Sequence, residues 1–332
     1  MKPRLAYDDQ AWERGTIVYR RWYKYLEEDE DPFNAVGRFL ATHFYPREWR
    51  EFDIFALGGF NVCFRIVFTD DTTAIIRFPF PGIIMFPEEK VLNEVRGQKQ
   101  ESPANLGPFI IMEYFEHKQS ICRLLENPES DPTVRPVLNL NLDMVRLGDL
   151  YRKLAKIVLS LSTLTLNKIG SVGLDPRSMT WKVLNRPLSY SMNEVVQLGT
   201  LPRSKIPNST YSEASSYFDA LAELQLSHLI IQRNDSVDSE DDYRRKFVAR
   251  LLFRRLIRDQ KLREKWLCHE AGPFPIWCDD FRPESVLVDE AENIVGVVDW
   301  EFTYTAPVEF SHAPPWWLLL EKPEYWPKGL DD

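Results

Sequence analysis

The chain has 332 residues, 41 of them Lys or Arg and 50 Asp or Glu, for a formal charge of −9. That length allows two domains or one large unit of two lobes, and 44% hydrophobic residues with 13% aromatics can build a sizeable core, which argues against disorder throughout. The acidic balance argues against a non-specific nucleic-acid binder, which needs clustered Lys and Arg to displace counterions from a polyanion. Cys63, Cys122, Cys268 and Cys278 are scattered, with no CxxC or Cys/His ligand spacing. This favours a reduced intracellular protein, free of cysteine-held metal, over a disulfide scaffold. The N-terminus has no apolar h-region and no run of eighteen apolar residues occurs, so the expectation is a cytoplasmic protein with no signal peptide and no membrane span.

Residues 11–50 read as helices with aromatic faces (Trp12, Tyr19, Trp22, Tyr23, Tyr25, Phe39, Phe44) that pack into a core. Residues 52–79 then turn β-rich, with reversals at Gly58-Gly59 and Asp70-Asp71, which predicts three antiparallel strands at 52–57, 61–68 and 73–78. Pro87 followed by Glu88 and Glu89 marks a helix start, giving a short helix over 87–96. The polar stretch GQKQESPANLGP ends that helix, and PFIIMEYF (108–115) reads as a buried strand. Over 144–164, Leu147, Leu150, Leu154, Ile157, Leu161 and Leu164 fall on one face of an amphipathic helix. Residues 171–211, rich in Pro, Ser and Asn, read as a long irregular segment of the kind that carries function or surface variation. Helices are predicted again at 213–232 and 241–270, and a strand–loop–strand–strand region runs from Ile276 to Trp300.

The chemistry concentrates in WCDDFRPESVLVDEAENIVGVVDWEFT, residues 277–303. Asp280 and Asp299 stand 19 residues apart at the two mouths of a predicted hairpin, so they can lie side by side. Phosphoryl transfer uses such a pair, one carboxylate orienting the attacking hydroxyl and the other holding the Mg²⁺ that bridges phosphate oxygens. Acids at hairpin ends are also common as turn formers and solvated caps.

The order of strands, connecting segment, helices and terminal hairpin resembles the aminoglycoside phosphotransferase/choline kinase-like family of the protein-kinase fold, in its fungal phosphotransferase-family branch. The family's catalytic loop reads roughly HxDxxPxNxLxD and its metal segment roughly GxIDWE. The corresponding residues here run from Cys278 through Asp280, Pro283, Ser285 and Leu287 to Asp289, and then Gly296-Val297-Val298-Asp299-Trp300-Glu301. The resemblance covers most of residues 50–326, including the tail APPWWLLLEKPEYWP, and is most specific in the last quarter.

The resemblance implies an α+β, bilobal fold. Residues 1–116 would hold the N-terminal helices and a small antiparallel β lobe for nucleotide. Residues 117–332 would form a larger, mainly helical lobe with the catalytic loop at 277–289 and the metal segment at 296–303. It implies ATP and Mg²⁺ as cofactors and a small-molecule hydroxyl as acceptor. By the same resemblance Asp280 is the catalytic base, Asp299 the principal Mg²⁺ ligand and Ser285 a further metal position. Gly58 and Gly59 would form the turn over the phosphates, though a plain hairpin turn fits them equally. Arg77 stands where the family has a phosphate-contacting Lys, and Glu94 would be its ion-pair partner or else a solvated helix residue. Glu113 to Phe115 would be the hinge whose backbone reads adenine. An acidic chain suits a cationic acceptor and no nucleic acid, membrane or protein partner.

Three departures favour the alternative of a pseudokinase, a binding or scaffold protein or a degenerate paralogue. Ser285 replaces the family's Asn, and Cys278 replaces a mainly structural His, where a small buried thiol fills the space better than it serves as a nucleophile. Only about a dozen residues, Arg96 to Gly107, separate the Glu94 helix from the next strand, too few for a full helix and strand. The expectation is a sheet short of a ladder partner, an unsupported Arg77–Glu94 pair, and missing C-terminal helices after Asp332.

Overall fold

The structure, a computed structural model, describes residues 9–28, 30–43, 48–94, 102–129, 136–232, 237 and 239–320. Two helices come first, α1 (Asp9–Glu28) and α2 (Glu30–His43), and pack Tyr19, Trp22, Phe33 and Phe39 on a sheet, whereas Trp12 and Tyr25, expected in the core, are exposed, and Phe44 lies outside the described residues. That sheet has four antiparallel strands in the order β1 (Trp49–Leu57), β2 (Asn61–Phe68), β3 (Thr73–Pro79) and β4 (Ile110–Glu113). Alternation places Val62, Phe64 and Ile66 of β2 in the core with Ile76 and Phe78 of β3, all fully buried. Trp22 donates its indole N–H to the Leu106 carbonyl, which ties α1 to the segment before β4. The helix α3 (Pro87–Glu94) leaves β3 through a loop in which Gly82, at φ 83°, comes close to Gly15 of α1; a Cβ on Gly82 would sit 2.2 Å from the Gly15 carbonyl oxygen.

The sheet is built from the four expected runs, and the described residues between α3 and β4 add no further strand to it. β3 pairs with β2 on one edge and with β4 on the other, Arg77 facing Ile110 and Ala74 facing Glu113, because β4 carries its own apolar run into the position beside β3. The connection at 96–107 lies partly outside the described residues, as does the chain after Leu320.

After β4 come β5 (Gln119–Ser120), the short α4 (Ile121–Leu125) and α5 (Met144–Thr163). Asp143 caps α5 by accepting from the Val145 and Arg146 N–H groups. Leu150 and Leu154 are fully buried, which at about 1.5–3 kcal/mol each fixes the inner face of α5. Leu164 falls beyond the helix and is exposed.

The segment 171–211 is not irregular throughout. After β6 (Thr165–Leu166) it folds into a two-stranded hairpin, β7 (Ser171–Asp175) and β8 (Thr180–Asn185), then α6 (Tyr190–Gln197) and a 3-10 turn at Arg203–Lys205. β7 is half-buried beyond the fully buried Ser171, whereas β8 is largely exposed and so has no apolar alternation. The hairpin turn is held by Asp175, whose carboxylate accepts from the Arg177 N–H, the Ser178 hydroxyl and the Lys182 ammonium.

Beyond it run α7 (Ala214–Ile231), α8 (Glu240–Arg258) and α9 (Gln260–Arg263); the single helix expected over 241–270 breaks at Asp259, whose backbone is extended. The last strands are β9 (Phe274–Cys278), β10 (Val286–Val288), β11 (Ile294–Val297) and β12 (Thr303–Thr305), followed by α10 (Val308–His312). β10 lies between β11 and β5, and β9 between β12 and β6. No helix among the described residues is long and apolar enough to cross a membrane.

Candidate active site

β9 delivers Cys278, Asp279 and Asp280 to one end of its sheet, and the 3-10 turn Pro283–Ser285 starts β10. The Val298 N–H donates to the Ser285 carbonyl at 2.8 Å, extending the β10–β11 pairing by one bond and bringing Ser285 beside the segment that carries Asp299. Asp299 and Phe302 then adopt left-handed backbone, φ 59° and 58°, turning the chain sharply into β12. A non-glycine residue pays for such a conformation only where surrounding contacts hold it. The contacts here include Cys278, whose Sγ lies 3.4 Å from the Glu301 carbonyl and 3.9 Å from that of Asp299. Burial pushes the Cys278 thiol up to about 12, which suits a packing role and not a nucleophile.

Of the two adjacent acids, Asp279 is tied into the fold. It accepts from the Tyr190 N–H at 2.9 Å, from the Trp277 indole at 2.7 Å and from the Tyr304 hydroxyl at 3.2 Å. Asp280 is 5% exposed and lies 4.0 Å from the Arg282 guanidinium. Burial works against the Arg282 charge, but Asp280, Glu284 and Asp299 together outweigh it and raise its pKa, so one guanidinium senses both predicted carboxylates. Ser285 is 1% exposed and its hydroxyl has no hydrogen-bond partner among the described residues.

Arg77, Glu94 and Asp299 are brought into direct contact. Arg77, on β3, pairs with Glu94 through Nη2 and donates through Nη1 to Asp299 at 2.7 Å, across 222 residues of sequence. The Arg77–Glu94 pair, expected to be unsupported, is therefore formed, and Arg77 and Glu94 expose only 7% and 4% of their side chains. Its support comes from a residue the sequence reading passed over. Lys90, one turn before Glu94 on the inner face of α3, is fully buried. Its ammonium lies 3.0 Å from Glu94, 2.5 Å from Glu301 and 2.9 Å from the Asn61 side-chain oxygen. Two cations thus meet three carboxylates, leaving one formal negative charge.

The electrostatics follow the burial. Burial pulls the Lys90 ammonium below its ordinary value, and Glu301 opposes it. For Glu301 burial acts upward, but Lys90, Arg77 and Asn61 outweigh it and the carboxyl ends below its ordinary value. Asp299 is raised, chiefly by burial, with Arg77 pulling it down. Its side chain still reaches solvent over 41% of its surface, the position of a carboxylate enclosed by protein on most sides and open on one.

Gly58 and Gly59 form the β1–β2 turn, closed by the Gly58 N–H donating to the Asn61 carbonyl at 2.9 Å. A Cβ on Gly59 would meet open space and one on Gly58 only ordinary contact, so the turn's own geometry does not demand glycine. Phe60 at its end packs edge-on against Tyr190 and Phe302, with centroids 5.5 and 6.1 Å away. Glu113 and Phe115 stand apart from the charge cluster. Glu113 ends β4, while the Phe115 ring lies over Gly296 of β11, where a Cβ would be 3.6 Å from it. The Phe115 carbonyl accepts from His117 Nδ1 at 2.7 Å.

Among the described residues no three His, Cys, Asp or Glu side chains gather as an all-protein cage. Mg²⁺ commonly takes one or two carboxylates and fills its remaining positions with water and phosphate oxygens. Asp299 offers a carboxylate, and Ser285, whose carbonyl accepts from the neighbouring Val298 N–H, offers an unpartnered buried hydroxyl. A cavity of about 50 Å³ behind β9 and a groove of about 440 Å³ along α5 are lined by neither Arg77, Glu94 nor Asp299.

No family model matches the chain, and no curated protein matches it. Among solved structures, a macrolide 2′-phosphotransferase type I superposes with a TM-score of 0.40 at 11% identity, over 82% of this chain and 73% of that one. A likeness of that degree assigns neither fold nor activity.

Proposed function

We propose that the chain is a Mg²⁺/ATP-dependent phosphotransferase of the aminoglycoside phosphotransferase type, two-lobed like the protein kinases, acting on a hydroxyl of a small molecule. The observation that carries this reading is the direct joining of Arg77 to both Glu94 and Asp299, from three separate parts of the chain. A strand cation clamped by a helix glutamate and facing an acid in the last hairpin is the arrangement that positions a nucleotide's phosphates for transfer.

On this reading ATP lies beneath the Gly58–Gly59 turn, with its adenine toward Glu113–Phe115 and its phosphates toward Arg77. Asp299 and Ser285 would hold Mg²⁺, which supplies neutralisation of phosphate charge when bound. Asp280 accepts a hydrogen bond from the acceptor hydroxyl and takes its proton as the oxygen–phosphorus bond forms and the bond to the ADP oxygen breaks. Asp279 keeps the loop in place, and the Arg282 guanidinium stands 4.0 Å from the Asp280 carboxylate. The acceptor would enter beside Tyr190, walled by the 165–211 segment. The excess of carboxylates favours a cationic acceptor, and a cytoplasmic setting suits an ATP-dependent reaction.

The second reading is a pseudokinase. Two observations favour it: Arg77 already occupies one oxygen of Asp299, and Ser285 is shorter than the Asn it replaces. ATP consumption separates the two, followed as ADP release with Mg²⁺ against water and against a panel of hydroxylated amines. Turnover abolished by Asp280→Asn with ATP binding retained supports the phosphotransferase. Binding without any turnover in the unmodified chain supports the pseudokinase. Turnover that survives Asp280→Asn removes Asp280 from the role of base.

A further inference from the structure

The contacts of Lys90 reach three elements at once. Its helix, α3, has its outer side fixed by Glu89, whose carboxylate receives a two-pronged hydrogen bond from Arg186 at 2.8 and 2.9 Å, at the end of β8. Its inner side presents Lys90. The Lys90 ammonium donates to the Asn61 side-chain oxygen at the start of β2, pairs with Glu301 two residues past Asp299, and lies in ion-pair contact, without a hydrogen bond, with Glu94 of its own helix. Asn61 closes a triangle by donating its side-chain N–H to the same Glu301 oxygen at 3.2 Å. The Asn61 backbone carbonyl closes the Gly58 turn. One buried charge therefore links the glycine turn, the glutamate helix and the metal segment.

A fold that needed only to fill this space would do as well with an apolar side chain, since removing an ammonium from water costs several kcal/mol and ion pairing returns it only with complete hydrogen bonding. What the ionic arrangement adds is direction. An apolar filler would hold the three elements together but would not fix Asn61, and with it the turn, at a set height above Asp299. We propose that Lys90 is a positioning residue for the nucleotide, acting through Asn61 and Glu301 to hold the Gly58–Gly59 turn in register with Asp299. The nucleotide part of this proposal rests on the phosphotransferase reading; the positioning part does not.

The test uses the full chain and two variants. Lys90→Met/Glu301→Gln removes one charge of each sign, so neither carboxylate nor ammonium of that pair is left buried alone. Asn61→Ala cuts the link to the turn and leaves the Lys90–Glu301 pair intact. Hydrogen exchange of the amides at 58–62 is followed without nucleotide, and KM and kcat for Mg·ATP are measured in parallel. The expected result in both variants is exchange at Gly58 about tenfold faster, the loss of roughly one hydrogen bond. KM is expected to rise about tenfold with kcat within about twofold, since the turn would contribute to binding and not to the chemical step. A purely structural role would lower the melting temperature and leave the KM-to-kcat split unmoved. Unchanged exchange at 58–62 overturns the proposal whatever the nucleotide data show. Faster exchange with unchanged KM overturns its nucleotide part. If the unmodified chain binds no ATP, the phosphotransferase reading falls by itself, and exchange alone still decides whether Lys90 positions the turn.

Discussion

Arg77→Met probes the charge cluster most directly. Met keeps much of the aliphatic volume and removes the guanidinium, so the cavity contribution is small. Glu94, 4% exposed, would be left with Lys90 alone, and Lys90 already serves Glu301. Stripping one partner from a buried ion pair costs about 3–5 kcal/mol. The Asp299 half adds little, because a carboxylate exposed over 41% of its side chain is taken up by water when its partner goes. For a chain of this size about 2 °C of melting temperature accompanies each kcal/mol, so the variant should melt roughly 6–10 °C below the unmodified protein. Differential scanning calorimetry of Arg77→Met, Glu94→Gln and the double variant completes a cycle. The double variant should recover about 2 kcal/mol or more relative to the sum of the singles, because it leaves no orphaned charge. A loss under about 2 °C in Arg77→Met, or strict additivity in the cycle, would refute the buried pair and the cluster built on it.

The neighbouring acids should behave differently from one another. Asp279→Asn loses charge-assisted bonds from the Tyr190 N–H, the Trp277 indole and the Tyr304 hydroxyl, and should cost about 1.5–3 kcal/mol in urea unfolding. A loss below about 0.5 kcal/mol would show that these bonds are not made. The acid limb of stability should depend on Glu301. Its folded pKa is depressed, so its contribution is present above its unfolded value near 4.5 and is lost as pH falls through the lower, folded value. Asp299 has the opposite sign: its raised pKa makes the ionised form a cost at neutral pH that acid relieves. The stability gap between the unmodified chain and Glu301→Gln should therefore narrow from pH 5 to pH 3, read by urea unfolding at each pH, and a constant gap would contradict the assignment. Ser285→Asn should tighten Mg·ATP binding about 3–10-fold in a fluorescence titration, while overpacking a site only 1% exposed costs about 1–3 kcal/mol. Unchanged affinity would show that the hydroxyl position does not limit metal binding.

Local pattern made much of the fold legible. Alternation around Gly58-Gly59 and Asp70-Asp71 marks β1 to β3, and leucine spacing marks α5, because each is decided by neighbours within one turn or one hairpin. The β10–β11 hairpin that leads from Ser285 to Asp299 was legible for the same reason, since its two strands are neighbours in sequence. Lys90 and Glu301 were not. In sequence, Glu88-Glu89-Lys90 looks like a solvated helix face, and only the approach of β2 and the Asp299 segment turns Lys90 inward. The same distance hid Asn61, whose partner Glu301 lies 240 residues away. β5, β6 and β12 are two or three residues long and have no periodicity of their own; they exist as partners of β10 and β9. The β7–β8 hairpin escaped notice because β8 is largely exposed and its turn is held by the polar contacts of Asp175, which leave no apolar alternation to read.

The central claim is that Asp299 is the residue through which Mg²⁺ and a nucleotide's phosphates are held against Arg77. Isothermal titration of ATP into the unmodified chain and into Asp299→Asn, each with Mg²⁺ and with EDTA, tests it most directly. The account predicts that Mg²⁺ tightens ATP binding to the unmodified chain and has no effect on Asp299→Asn, whose melting temperature without ligand stays at or above that of the unmodified protein. ATP binding indifferent to Mg²⁺ in the unmodified chain, or full Mg²⁺ dependence retained in Asp299→Asn, would contradict it.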